Sequence, residues 1–147
     1  MKGEKMKKLK GKPDYIYNRI TDITVDDVKK MGVSALAVDL DNTAVKDSSF
    51  HMGKDVILWS KNMRNNGIKI VIVSNTFFYR ALWFSYKMGW VPFVALANKP
   101  SPVALKTASK LIKTKVSSIA MIGDKLTKDI LCANRAGAVS VKVEKFA

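Results

Sequence analysis

Ala35-Leu36-Ala37-Val38-Asp39-Leu40-Asp41-Asn42-Thr43 joins an unbroken apolar run to two carboxylates. A run of this kind predicts a buried strand, and the acids stand where it stops. Side chains on extended backbone alternate with period two, so Asp39 and Asp41 are expected to face the same way while Leu40 points into the protein. Two like charges held close are costly unless a cation lies between them or one carboxyl keeps its proton. Either arrangement suits chemistry. The plain alternative is a strand followed by an Asp-Asn turn, since both residues form turns readily.

The rest of the chain repeats the strand pattern. Ile68 to Val73, Val91 to Ala95, Ser118 to Ile122 and Ala138 to Val143 read as four further strands. Between them lie helical stretches: Lys54 to Asn66 with Val56, Trp59, Ser60 and Met63 on one face, Phe77 to Met88, Ser101 to Lys113, and Lys128 to Ala136 with Thr127 as its N-cap. Ahead of the first strand, Thr24 is placed to cap a short helix through Met31, with Asp26 and Asp27 in its first turn and Gly32 at its end. Pro13 to Ile23 reads as an irregular lead-in. Continuous apolar strands alternating with helices predict an α/β, Rossmann-like three-layer fold around a central parallel sheet of about five strands.

The chain is 147 residues long, a length suited to one domain, here residues 13–147 behind a mobile basic arm at residues 1–12. With 26 basic and 12 acidic residues the net charge is +14, which favours anionic partners: nucleic acid, an acidic lipid surface or phosphorylated metabolites. A single cysteine, Cys132, excludes an intrachain disulfide framework and fits a reducing cytoplasm. The one histidine, His51, argues against a His-rich metal site. No apolar run has the length of a membrane span, and the lysine-rich start leads into polar residues rather than the apolar core of a signal peptide.

In open parallel sheets ligands bind outside the carboxyl ends of the strands. Asp39 and Asp41 follow the first predicted strand, Ser74 and Asn75 the second, Lys99 the third, and Gly123-Asp124 the fourth. Three carboxylates, a hydroxyl and an ammonium converging there suit a phosphate and a hard cation such as Mg²⁺. Asp39 is the candidate nucleophile. Asp41 is the candidate acid for the leaving oxygen and then the base for the hydrolytic water. Ser74, Asn75 and Lys99 are candidates to bind phosphate, Asp124 to hold the metal and Asp129 to orient its surroundings. Gly123 allows close backbone approach, and Thr43 supports the first loop.

Taken together, Asp39-Leu40-Asp41-Asn42-Thr43, Ser74-Asn75, Lys99-Pro100 and Gly123-Asp124-Lys125-Leu126-Thr127-Lys128-Asp129 resemble the four ordered motifs of the haloacid-dehalogenase-like (HAD) phosphohydrolases. The wording Asp-Leu-Asp-Asn-Thr, Ala97-Asn98-Lys99-Pro100 and Asn134-Arg135-Ala136-Gly137 is similar to the YqeG-type branch of class IIIA, related to phosphatidylglycerophosphate phosphatases. The resemblance runs from about Pro13 to Val143. It implies a Rossmann-like sheet, Mg²⁺ dependence, an aspartyl-phosphate intermediate on Asp39, and Asp39, Asp124 and the Asp41 main-chain carbonyl as metal ligands. The branch usually carries an amide where this chain has Lys125. The intervals between the motifs are too short for a separate cap domain.

Eight of the 13 aromatic residues fall within the 17 residues from Phe77 to Phe93. Such a helix is a core element with a subunit contact, as in a homo-oligomer, or a rim facing an anionic membrane. Three functions follow. The first is a Mg²⁺-dependent phosphatase, with phosphatidylglycerophosphate as one substrate, cytoplasmic or peripheral to the membrane. The second is a phosphatase of nucleotides or nucleic-acid ends. The third is a non-catalytic RNA- or ribosome-binding protein that keeps the fold.

Overall fold

The computed structural model describes residues 11–144 and 146. Six strands form one sheet: β1 (Tyr15–Tyr17), β2 (Ala35–Val38), β3 (Lys69–Val73), β4 (Phe93–Val94), β5 (Ile119–Gly123) and β6 (Val139–Val143). Their order is β1-β6-β5-β2-β3-β4, and every pairing is parallel. The chain leaves β2 toward β3 and β4 on one side, then returns to place β5 on its other side. The sheet therefore has its switch point between β2 and β5, where an open α/β sheet forms its crevice.

Period-two alternation divides the sheet's side chains between two cores. Leu36 and Val38 of β2, Ile70 and Ile72 of β3, and Ala120 and Ile122 of β5 face one side. There they meet α1 (Val25–Lys30), α2 (Lys54–Asn65) and α3 (Phe78–Lys87) through Val28, Val56, Trp59, Met63 and Phe84. Ala35, Ala37, Val71, Val73, Ile119 and Met121 face the other side, against α4 (Val103–Ile112) and α5 (Leu131–Ala136). All four residues of β2 are fully buried. Each large apolar side chain so placed contributes about 1.5–3 kcal/mol, which fixes the register from which Asp39 emerges.

The Thr24 cap forms as expected: its hydroxyl accepts from Asp27 N and the Asp27 carboxylate accepts from Thr24 N, both at 3.0 Å. Two local readings are corrected. The lead-in contains β1, a sixth strand that pairs with β6, the last strand in the chain. Thr127 is not an N-cap: it lies inside a wide π-type turn, Leu126–Ile130, and the Asp129 carboxylate reaches back to accept from the N–H of Lys125, just ahead of that turn. Of the basic arm, residues 1–10 lie outside the described residues, while Lys12 O accepts from Asn134 Nδ2 on α5 at 2.8 Å. Among the described residues no helix is long and apolar enough to cross a membrane.

Candidate active site

A cavity of about 110 Å³ opens at the carboxyl ends of the strands, and every residue lining it is polar. The lining holds Asp39 and Asp41 from the end of β2, Ser74 and Asn75 from the end of β3, Lys99 after β4, and Asp124 and Asp129 after β5. Asp47, Lys125 and Lys128 complete it. A larger hollow of about 430 Å³ lies at the opposite end of the sheet, among Ile68, Ile70, Val91, Pro92 and Ile112. Its Lys69 ammonium caps the end of α4 through Ile112 O at 2.7 Å, and no carboxylate lines it.

Lys99 organises the polar site. Its buried ammonium donates to Asp39 Oδ1 at 2.8 Å, Asp129 Oδ1 at 2.5 Å and Val73 O at 3.0 Å, so each of its three protons has an acceptor. Burial alone would lower the Lys99 pKa, but Asp39 and Asp129 outweigh it and raise it, keeping the ammonium charged. The same neighbours act on Asp39. Burial pushes its carboxyl up to about 7, with Lys99 opposing and Asp129 adding to the rise.

Asn75 serves this arrangement through the main chain: its Oδ1 accepts from Lys99 N at 2.9 Å and its Nδ2 donates to Lys99 O at 3.3 Å. Ser74 Oγ is buried, accepts from Thr76 N at 3.2 Å and is on the cavity wall. Gly123 is required for a steric reason, since a Cβ there would overlap the Asp129 carboxylate. Asp129 is thus wedged between the end of β5, Lys99 and the N–H of Lys125. Thr43 is buried in the loop after β2, with an Oγ1 that has no hydrogen-bond partner among the described residues.

The donor set fits a hard cation. Asp39, Asp124 and Asp129 each present an oxygen within 4.8 Å of the others. Asp124 Oδ1 is buried with no partner among the described residues, a costly condition for a carboxylate oxygen that a cation would relieve. Burial first, and then the Asp129 charge, raise the Asp124 pKa. All of these donors are oxygens, the chemistry Mg²⁺ and its hard relatives take.

Asp41 lines the same cavity but turns its carboxylate to Arg80, a residue that sequence reasoning passed over. Arg80 Nη1 donates to Asp41 Oδ2 at 2.9 Å and Nη2 to Oδ1 at 2.8 Å, a two-pronged pair. Its Nε and Nη2 donate to Ser49 O at 3.1 and 2.7 Å, and Nη1 also reaches Thr76 Oγ1 at 3.1 Å. The guanidinium is buried between the Phe50 and Phe84 rings. Burial would raise the Asp41 pKa, but Arg80 and the Ser48 N–H outweigh it and hold the carboxyl below its ordinary value. The available signal was one charged residue inside Phe77-Phe78-Tyr79-Arg80-Ala81-Leu82-Trp83-Phe84, on the face that packs inward. His51 is exposed and absent from the cavity wall.

Comparison with known proteins gives a consistent picture. Residues 96–145 match a family model described as HAD-hydrolase-like. The chain is 34% identical over 131 residues to "Probable phosphatase YqeG" of Bacillus subtilis (strain 168), covering 89% of this chain and 76% of that protein. Among solved structures, an uncharacterized protein from Listeria monocytogenes serotype 4b superposes with a TM-score of 0.62 at 16% identity, covering 76% of this chain and 79% of that one. The cobalt-bound deoxy-D-mannose-octulosonate 8-phosphate phosphatase of Haemophilus influenzae superposes with a TM-score of 0.58 at 15% identity, covering 77% and 69%.

Proposed function

The chain belongs to the HAD-like hydrolases, and from that premise we propose that it is a metal-dependent phosphatase working through an aspartyl-phosphate on Asp39. The observation that carries the reading is the cluster of Asp39, Asp124 and Asp129 around the Lys99 ammonium, with one buried Asp124 oxygen lacking a partner.

In this reading Asp39, Asp124 and the Asp41 main-chain carbonyl would hold Mg²⁺, with Asp129 orienting the cluster. A bound cation there would offset the repulsion that otherwise keeps a carboxylate and a phosphate dianion apart. Lys99 holds Asp39 in place and favours its ionised form, and Asn75 holds the Lys99 main chain. Ser74 Oγ accepts from Thr76 N and offers its own proton to a phosphate oxygen. Asp39 attacks phosphorus, the P–O bond to the leaving group breaks, and the departing oxygen takes a proton from Asp41. Asp41, now a carboxylate, takes a proton from the water that cleaves the acyl phosphate. Inorganic phosphate leaves, and Asp39 and the Asp41 acid are regenerated. The acid step requires Asp41 to exchange its pairing with Arg80 for a proton, so the Arg80-bound state is the resting arrangement.

The substrate panel should include an aryl phosphate, phosphatidylglycerophosphate, and nucleotide and oligonucleotide phosphates, each with Mg²⁺ and with EDTA. Turnover that needs the metal and is lost in Asp39→Asn is the expected result. Undiminished turnover in Asp39→Asn would remove the nucleophile assignment. The preferred panel member decides between a lipid phosphomonoester and a nucleic-acid end.

A further inference from the structure

The outer face of α3 (Phe78–Lys87) is not accounted for by the catalytic site. Its inner face buries Arg80, Ala81, Phe84 and Ser85. On the opposite side Tyr79, Trp83 and Tyr86 follow at helical spacing i, i+4, i+7 and are all exposed, Tyr79 at 76%. Tyr86 lies 5.1 Å from Trp90, itself 66% exposed, so an aromatic stripe runs along the whole element. At the site end the stripe continues through exposed Phe77 and Phe78, just past Ser74-Asn75. Phe50 adds to it from the loop that Arg80 and Trp83 fasten to the helix.

The charge around this face is one-sided. Between Asp55 and Asp124 the chain has no Asp or Glu, while it has ten Lys and Arg. Those residues build most of α2, then β3, α3, β4 and α4, the half of the sheet that ends at the β4 edge. Arg80 and Lys99 are buried and paired, whereas Lys61, Lys87, Lys106 and Lys110 are exposed. The described acids all lie at Asp55 or before it and at Asp124 or after it in the chain, and of them Asp39, Asp41, Asp47, Asp124 and Asp129 line the cavity.

We propose that the α3 face docks on an anionic lipid bilayer, with the aromatic stripe at headgroup depth and the acid-free half of the molecule facing the negative surface. Tyr and Trp suit the boundary because each joins an apolar body to a polar tip, and lysines beside them add attraction to anionic headgroups. Self-association fits poorly. A two-fold contact would bring two acid-free surfaces together with no carboxylate to meet Lys87. Nucleic acid fits poorly as well. Base stacking needs open ring faces, whereas Phe78, Trp83 and Tyr86 pack on neighbouring rings and Lys87 lies over Trp83 at 4.8 Å. Docking in this pose would present the cavity mouth near the headgroup plane, but it does not depend on the phosphatase reading.

The test is co-sedimentation of the full chain with vesicles of phosphatidylcholine alone and of phosphatidylcholine mixed equally with phosphatidylglycerol. The variants are Tyr79→Ser/Tyr86→Ser, Lys87→Glu and Asp39→Asn. Binding should appear on the anionic vesicles only and weaken with salt. The double serine variant should lose about tenfold or more in partitioning, with its thermal unfolding unchanged because both rings are exposed. Lys87→Glu should weaken binding, and Asp39→Asn should bind like wild type whatever its activity. The lysine-rich start is common to all four proteins, so equal binding of the double variant would move the attachment there and overturn the proposal. No binding at low salt would overturn it. So would a concentration-dependent dimer, or salt-sensitive RNA binding without lipid binding, abolished by the same serines.

Discussion

Lys99 holds two buried carboxylates with one ammonium, so its removal is more than the loss of a contact. In Lys99→Met both Asp39 and Asp129 would remain in place uncompensated, and breaking a buried pair in this way costs about 3–5 kcal/mol. Asp39, already pushed up to about 7 by burial, loses the charge that opposes that rise, so its folded-state pKa climbs further above the unfolded value. Part of the missing stability should therefore return as pH falls and Asp39 protonates. Urea unfolding at acid and at alkaline pH checks this, and an equal loss at both would contradict it. Arg80 makes a second residue-scale prediction. Arg80→Gln takes the two-pronged partner from Asp41, whose pKa then rises. If Asp41 is the base of the hydrolytic step, the acid limb of the kcat profile should move to higher pH, with KM changing less; an unmoved limb would detach Arg80 from that step. Neither interaction was legible in the sequence. Asp41 and Arg80 lie 39 residues apart and Lys99 and Asp129 lie 30 apart, distances over which periodicity carries no information.

Elements were far more legible, because the signal that defines them is local. Continuous apolar runs gave β2, β3, β5 and β6 to within a residue or so, and glycines marked the ends of α2 and α3. What failed was what depends on a partner. β1 is three residues long with its outer face in solvent, and it becomes a strand only by pairing with a segment 126 residues later. The turn at Leu126–Ile130 also needed tertiary information, since Thr127 has the chemistry of a cap but Asp129 is drawn under Lys125 and against Gly123. Gly123→Ala should consequently cost about 1–3 kcal/mol and weaken divalent-cation binding, because Asp129 must shift. Calorimetric titration with the metal reads this directly, and unchanged affinity would argue that the wedge is incidental. Thr24→Ala, far from the site, should cost about 1 kcal/mol with no change in metal affinity.

At the scale of the whole molecule, the two cores and the parallel order concentrate acids at one rim of the sheet, where protons and cations compete for them. Asp39, pushed up to about 7, and Asp124, also raised, hold protons in the metal-free protein as pH falls. Metal binding must displace those protons. The thermal stabilisation given by Mg²⁺ should accordingly be larger at about pH 8 than at about pH 6, and EDTA should remove it at both. A Mg²⁺ effect independent of pH would mean that the ion binds elsewhere.

Of the described lysines, Lys99 alone is buried, and its three ammonium protons are all engaged. Surface ammonium protons trade with water too quickly to leave a nuclear resonance at neutral pH. Those of Lys99 are shielded from that traffic, so its ¹⁵N-labelled ammonium should give a lone, resolvable signal. Because its partners are Asp39 and Asp129, that resonance would register the arrival of a metal or a phosphate from inside the site, without a chromogenic substrate or an introduced label.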